Sequence, residues 1–153
     1  VKMEGGIDIV DSVKRIIKSG IPVMGHLGLI PQSIYKFGTY AVRATDNEEA
    51  DTLLSDAIAL QEAVCFALVL EKVPAELAKK VADKLTIPVI GIGAGNGCDG
   101  QVLVSYDMLG IISGRQPRFV RNFMSSEDSI ALAVNAFVRE VKAGTFPSEN
   151  ESY

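Results

Sequence analysis

The stretch CFALVLE, residues 65–71, decides the fold class, because an unbroken apolar run ends abruptly on a carboxylate. A strand that is apolar on both faces is typical of a parallel sheet covered by helices on both sides. Two further short apolar runs, IPVM at 21–24 and IPVIGI at 87–92, are predicted to be buried strands of the same sheet.

Segments with the period of an amphipathic helix separate these strands. The helix that precedes residue 64 is predicted to begin after Asp46, because Glu49 completes a capping-box pattern with it. The last helix is predicted to follow a cap at Ser125, and the polar tail at 145–153 is predicted to be extended. The predicted core face of that last helix consists of Ile130, Val134, Phe137 and Val141.

Alternating strands and helices over residues 1–153 predict a single α/β domain. Two architectures satisfy the pattern, an open doubly wound sheet and a (β/α) barrel. In both of them the chemistry lies at the carboxyl ends of the strands, so the residues at those ends are the candidates for a functional site.

Composition excludes several functional classes. The chain has 15 Lys and Arg against 19 Asp and Glu, with no basic run, so it lacks the electrostatic pattern of a nucleic-acid-binding protein. Every apolar stretch is too short to span a membrane. Cys65, Cys98 and His26 are too few for a disulfide scaffold or a four-ligand zinc site, and we expect reduced thiols in a cytoplasmic protein.

Four charged or titratable residues are predicted to converge at one end of the sheet: Lys2, Glu4, His26 and Glu71. A carboxylate at the end of a buried strand is well placed to act as a general base. The alternative for Glu71 is an ion pair with its neighbour Lys72, without a catalytic role.

The other three residues also allow two interpretations each. Lys2 and Glu4 lie two apart on an extended segment, so their side chains point the same way. They form either a local ion pair, or a pair in which Lys2 holds an anionic substrate and Glu4 a hard cation. His26 is either a hydrogen-bonded structural residue or part of the site.

Six segments closely resemble the ketopantoate hydroxymethyltransferase family, and the combination of GHLGL-x-PQS, LVLE-x-VP and IGIGAG is highly specific. The resemblance covers essentially the whole chain in the order and spacing of the family. The segments are VKMEGG at 1–6, IPVMGHLGLIPQS at 21–33, FGTYAVRA at 37–44, ALVLEKVPAELAKKV at 67–81, IPVIGIGAGNGCDGQVLV at 87–104 and PRFVRNF at 117–123.

The resemblance implies a (β/α)8 TIM barrel, of which this chain is expected to supply roughly the last five strands, the C-terminal part. It implies transfer of a one-carbon unit from 5,10-methylenetetrahydrofolate to 3-methyl-2-oxobutanoate in pantothenate biosynthesis, with Mg²⁺ as the metal. It also implies a large homo-oligomer, often a decamer.

Residue by residue, the resemblance implies that Lys2 contacts the keto acid, Glu4 belongs to the metal site and Glu71 is the proton acceptor. It places His26 in the substrate pocket. In the family, two aspartates that bind Mg²⁺ and a serine that binds the keto acid lie on earlier strands, outside this chain. With Glu4 as its remaining metal ligand, the chain is expected to bind Mg²⁺ weakly.

Two other functions stay open from the sequence. One is a catalytically silent fragment or assembly module that keeps the subunit contacts without turnover. The other is an Mg²⁺-dependent enolising barrel enzyme of the phosphoenolpyruvate mutase type, although its cysteine-bearing loop motif is not recognisable here.

Overall fold

The computed structural model describes residues 1–112 and 114–153. Strands and helices alternate along most of the chain, as the hydrophobic pattern predicts. Short 3-10 segments lie at Ile7–Ile9, Pro31–Ser33, Phe123–Ser126 and Glu149–Glu151. The regular elements are β1 Lys2–Glu4, α1 Val10–Lys18, β2 Met24–Gly28, α2 Ile34–Phe37, α3 Asn47–Glu62, β3 Ala67–Glu71, α4 Ala75–Lys84, β4 Val89–Ile92, β5 Gly100–Gln101, α5 Ser105–Met108 and α6 Ile130–Lys142.

The strands form one sheet in the order β1-β2-β3-β4-β5, and every neighbouring pair is parallel. In a doubly wound sheet the strand order reverses partway across, whereas in a (β/α) barrel each strand adds beside the preceding one. The sequential order therefore confirms the predicted α/β class and its barrel type.

Successive residues of β3 contribute to two different hydrophobic cores, which explains why the strand is apolar throughout. Leu68 and Leu70 pack with residues of α1, α3 and α4 on one face of the sheet. Val69 points to the other face and belongs to a second core that includes the aromatic side chains of Phe119, Phe123 and Phe146 and two alanines of α6.

The position of β2 differs from the prediction of a strand at residues 21–24. The ladder begins at Met24 and continues through Gly25 to Gly28. A Cβ atom at Gly25 would lie 2.9 Å from the side chain of Leu60, so this glycine allows α3 to pack closely onto the sheet. Consequently His26 lies within the strand, where its side chain is buried.

The predicted capping box at the start of α3 is only partly formed: the Asp46 cap is confirmed, and the return hydrogen bond from Glu49 is wrong. The carboxylate of Asp46 accepts a hydrogen bond from the backbone N–H of Glu49 at 2.8 Å. The carboxylate of Glu49 does not reach back to Asp46; it accepts from the backbone N–H of Ala44 at 2.7 Å and pairs with Arg43. Glu49 therefore ties the preceding loop to the start of the helix.

The predicted start of the last helix is also wrong, because the cap of α6 is Ser129. Its hydroxyl oxygen accepts from the backbone N–H of Leu132 at 3.3 Å. Ser125 instead lies in the 3-10 segment Phe123–Ser126, where its hydroxyl donates to the carbonyl oxygen of Asn122.

The buried face of α6 is made by small residues. Ala133 and Ala136 are fully or almost fully buried, whereas Ile130 is 61% exposed and Val134 is 37% exposed. Alanines let the helix approach the aromatic side chains of the second core more closely than β-branched residues would allow. The prediction that Ile130 and Val134 form the core face is therefore wrong.

The C-terminal tail is anchored, in contrast to the predicted extended segment. Arg121 forms ion pairs with Glu140 and Glu151, the latter at 2.5 Å, and the backbone N–H of Ala75 donates to the carbonyl oxygen of Tyr153 at 2.8 Å. Burial alone would raise the pKa of Glu151, but hydrogen bonds from Arg121 and Ser148 outweigh it and lower that pKa.

Replacing Glu151 with Gln is expected to lower the free energy of unfolding by about 1–2 kcal/mol at about pH 7. The pKa of Glu151 lies below its ordinary value of 4.5, so its stabilisation is present above pH 4.5 and is lost as the pH falls through the folded-state pKa. Urea unfolding across this range measures the effect, with the exposed Glu149→Gln as control. A deficit that persists in acid would contradict the assignment.

Gly28 and Gly20 offer a matched pair for testing the closeness of β2 and β3. Both have positive φ, but a Cβ atom at Gly28 would lie 2.2 Å from the carbonyl oxygen of Glu71, while one at Gly20 meets nothing within 4 Å. Gly20→Ala is expected to cost about 1 kcal/mol in unfolding free energy, and Gly28→Ala at least about 2 kcal/mol more. Equal urea midpoints for the two variants would argue against this close approach.

Candidate active site

The pleat and register of the sheet place the four predicted residues on one face. Alternate residues of a strand point the same way, so Lys2 and Glu4 share a face of β1. In the ladder, Glu4 is the partner of His26, and Gly28 is the partner of Glu71. The polar side chains of β1, β2 and β3 therefore lie at the same end of the sheet.

These side chains form a continuous polar cluster. The Nζ atom of Lys2 lies 2.8 Å from Nδ1 of His26 and 3.1 Å from Oε1 of Glu4. On the other side of the ring, Nε2 of His26 lies 3.2 Å from Oε2 of Glu71. The angle of this last contact does not meet that of a hydrogen bond, so the two groups interact only electrostatically. His26 therefore joins the β1 residues to Glu71.

Exposure differs strongly across the cluster. The side chain of His26 is 4% exposed and those of Glu4 and Glu71 are 16% exposed, whereas that of Lys2 is 43% exposed. Electrostatic interactions among the inner groups are weakly screened by solvent, and the ammonium group of Lys2 is accessible to a ligand. The Lys2–Glu4 ion pair is present as part of this larger cluster.

The suggested ion pair between Glu71 and Lys72 is not formed. Lys72 has a left-handed backbone conformation, with φ 51°, and its ammonium group donates to the carbonyl oxygen of Tyr40. Its backbone N–H donates to the carbonyl oxygen of Ile92 at 2.8 Å, and its carbonyl oxygen accepts from the N–H of Arg43 at 3.0 Å. These contacts turn Lys72 away and leave Glu71 facing His26.

Two contributors to the site were missed from the sequence. The backbone N–H of Gln32 donates to Oε2 of Glu4 at 3.3 Å, from the 3-10 segment that begins at Pro31. The PQS motif at 31–33 marks that turn and could have suggested it. The turn at Lys72 has no such signal, because a lysine rarely adopts positive φ.

A cleft of about 380 Å³ adjoins the cluster at Glu4. It lies between the β1–α1 turn and α3, and its polar lining includes Arg43, Glu49 and Asp56. His26 and Glu71 do not line this cleft, so it and the polar cluster meet only at Glu4.

The cluster alone does not make a magnesium site. Within residues 1–112 and 114–153, no three His, Cys, Asp or Glu side chains are grouped to hold a metal ion. Glu4 and Glu71 contact opposite nitrogens of the His26 ring, which separates them, while Mg²⁺ prefers an octahedral set of oxygen ligands. The assignment of Glu4 as a metal ligand stays a prediction.

The two cysteines are free, as expected. Burial, with a smaller contribution from the carboxylate of Asp99, raises the pKa of the Cys98 thiol to about 11, so this thiol is a poor nucleophile at neutral pH. In the part of the chain that the structure describes, no helix is long and apolar enough to cross a membrane.

Comparison with known proteins identifies the family. The ketopantoate hydroxymethyltransferase family model matches residues 1–149. Relatives named 3-methyl-2-oxobutanoate hydroxymethyltransferase from Phocaeicola vulgatus, Prosthecochloris aestuarii and Salinibacter ruber are 60%, 61% and 58% identical over all 153 residues.

The chain spans somewhat more than half the length of these relatives, namely 56%, 55% and 58%. Its predicted place in the C-terminal part stays a prediction. The match over nearly every residue, together with the sequential parallel sheet, shows that the chain belongs to the ketopantoate hydroxymethyltransferase family.

Proposed function

We propose that this chain belongs to an enzyme that transfers a hydroxymethyl group from 5,10-methylenetetrahydrofolate to 3-methyl-2-oxobutanoate. The product is 2-dehydropantoate, an intermediate of pantothenate and coenzyme A biosynthesis. The names of the relatives support the acceptor and the transferred group, and the family resemblance supports the folate donor. The structural observation that carries the proposal is the carboxylate of Glu71 at the end of β3, beside His26 and within the same cluster as Lys2.

Glu71 is the proposed general base. It removes the proton from C3 of the keto acid, and the electron pair of the broken C–H bond moves toward the carbonyl group to give an enolate. C3 then forms a bond to the methylene carbon carried by folate. Both C–N bonds of that carbon break with their electron pairs left on nitrogen, which releases tetrahydrofolate, and a water molecule supplies the hydroxyl group of the product. A base for this step needs to lie at the rim of the sheet and to be held in a fixed orientation, and Glu71 meets both conditions.

Lys2 is the proposed ligand of the substrate carboxylate. An ammonium group has three N–H donors and no acceptor. One donor points to His26 and another to Glu4, which leaves the third for an anion. The exposure of Lys2 allows that contact, which would hold the keto acid in one orientation relative to Glu71. We also place His26 in the wall of this pocket.

Glu4 is proposed as a single oxygen ligand of Mg²⁺. The described residues do not complete the coordination of that ion.

We further propose that the chain forms one domain over residues 1–153 within a cytoplasmic homo-oligomer, a decamer by family resemblance. Free cysteines are typical of a reducing compartment. Exposed apolar side chains on α6, such as Ile130 and Val138, are consistent with a contact surface.

The proton-transfer step can be tested without folate. Glu71→Gln keeps the size of the side chain and removes the basic oxygen, so we expect the rate of deuterium exchange at C3 of 3-methyl-2-oxobutanoate to fall by about 100-fold or more. Proton NMR of the keto acid in deuterated buffer with Mg²⁺ measures the exchange. Glu62→Gln, at the exposed end of α3, is the matched control.

Unchanged exchange in Glu71→Gln would contradict the assignment of the base. Size-exclusion chromatography and an assay of 2-dehydropantoate formation then distinguish the enzyme from the silent assembly module. A folded oligomer that neither exchanges the C3 proton nor forms product would support the module.

A further inference from the structure

We infer that Asp56 is a positioning residue, which fixes the turn after β1 and thereby the direction of Glu4 and Lys2. Its importance for binding the keto acid rests on the function proposed above. The contact through which Asp56 acts joins its carboxylate to the backbone of the turn, and this contact can be tested without turnover.

The turn after β1 has no cap of its own. Gly6 precedes the 3-10 segment Ile7–Ile9, which continues directly into α1, and a glycine has no side chain that could accept from the first N–H groups of a helix. Asp56 on α3 supplies the acceptor, because its Oδ1 atom accepts from the backbone N–H of Ile7 at 2.9 Å. The two residues are 49 apart in sequence, so this bond joins α3 to the end of β1.

The missing side chain at Gly6 gives the carboxylate of Asp56 its place. A Cβ atom on Gly6 would lie 1.9 Å from Oδ2 of Asp56, and the three atoms nearest to that position all belong to the same carboxylate. Two separate features of the sequence, a glycine in the turn and an aspartate on α3, therefore fit one contact.

The chain leaves the sheet immediately after Glu4. The backbone N–H of Gly5 donates to the carbonyl oxygen of His26 at 3.2 Å, and Gly5 then adopts φ 130°, which turns the chain away from the strand direction. The side chain of Ile7 is 67% exposed, so its burial contributes little to holding the turn. The bond between Ile7 and Asp56 is therefore a main restraint on the direction in which β1 ends.

This direction matters to the polar cluster because Glu4 is the last residue of β1. Its carboxylate pairs with the ammonium group of Lys2 at 3.1 Å. A shift of the turn moves Glu4, and with it the ammonium group that is proposed to bind the carboxylate of the keto acid. A displacement on the order of 1 Å is enough to impair an oriented contact of this kind.

Amide hydrogen exchange of the full chain tests the contact itself. Asp56→Ala removes the acceptor, so we expect the N–H of Ile7 to exchange about 10-fold faster or more, whereas Asp56→Asn keeps a carbonyl oxygen there and most of the protection. Asp51→Ala removes an exposed carboxylate of the same helix and is the matched control, with unchanged exchange at Ile7. Protection of Ile7 that persists in Asp56→Ala would overturn the inference.

The C3 exchange assay tests the positioning role. Glu71 lies on β3 and is untouched, so we expect Asp56→Ala to raise KM for the keto acid by about 10-fold with kcat within about 3-fold, and Asp56→Asn to restore KM to within about 2-fold. Loss of Ile7 protection without a rise in KM would contradict the role, as would equal effects of the two variants. A wild-type chain without C3 exchange contradicts the proposed function, whereas the Ile7 amide reports on the Asp56 contact independently.

Gly6→Ala is a second route to the same altered turn. Its methyl group displaces the carboxylate of Asp56, so we expect the same faster exchange at Ile7 and a similar rise in KM. Adding Gly6→Ala to Asp56→Ala is then expected to change KM by less than about 2-fold, because the contact is already lost. Independent, multiplicative effects of the two substitutions would overturn the inference.

Discussion

The backbones of β2 and β3 meet at Gly28 and Glu71, where a Cβ atom on Gly28 would lie 2.2 Å from the carbonyl oxygen of Glu71. The next residue, Leu29, donates its N–H to that same oxygen at 2.8 Å. This close approach holds the register of β2 and β3. Because side chains alternate along a strand, a shift of one residue would turn Glu71 toward the core around Leu68 and away from His26.

The charge arrangement depends on that register. Two carboxylates, Glu4 and Glu71, approach a single buried ring from opposite sides, and the ammonium group of Lys2 pairs with Glu4. The ring of His26 lies between the two carboxylates and keeps them apart. The exposed Lys2 then links the buried groups to anything that binds at the rim.

Segments that are distant in sequence hold the turn that follows Glu71. The turn at Lys72 is held by the loop containing Tyr40 and by β4, and the ring of Tyr153 lies 5.8 Å from the Lys72 ammonium. The tail is in turn fastened by the ion pair of Arg121 with Glu151. The residue after the proposed base therefore keeps its unusual backbone conformation through contacts from three separate segments, a pattern expected where a side chain needs a fixed direction.

The sequence by itself predicted the α/β class, most strands and the convergence of the four polar residues, because apolar runs, helical spacing and the strand-end rule are local or general. Family resemblance added the proposed roles. Only the tertiary structure decided that β2 includes His26, since this follows from packing of Gly25 against α3. The orientation of His26 between Lys2 and Glu71 likewise depends on the register of three strands, a long-range property that no spacing along the chain specifies.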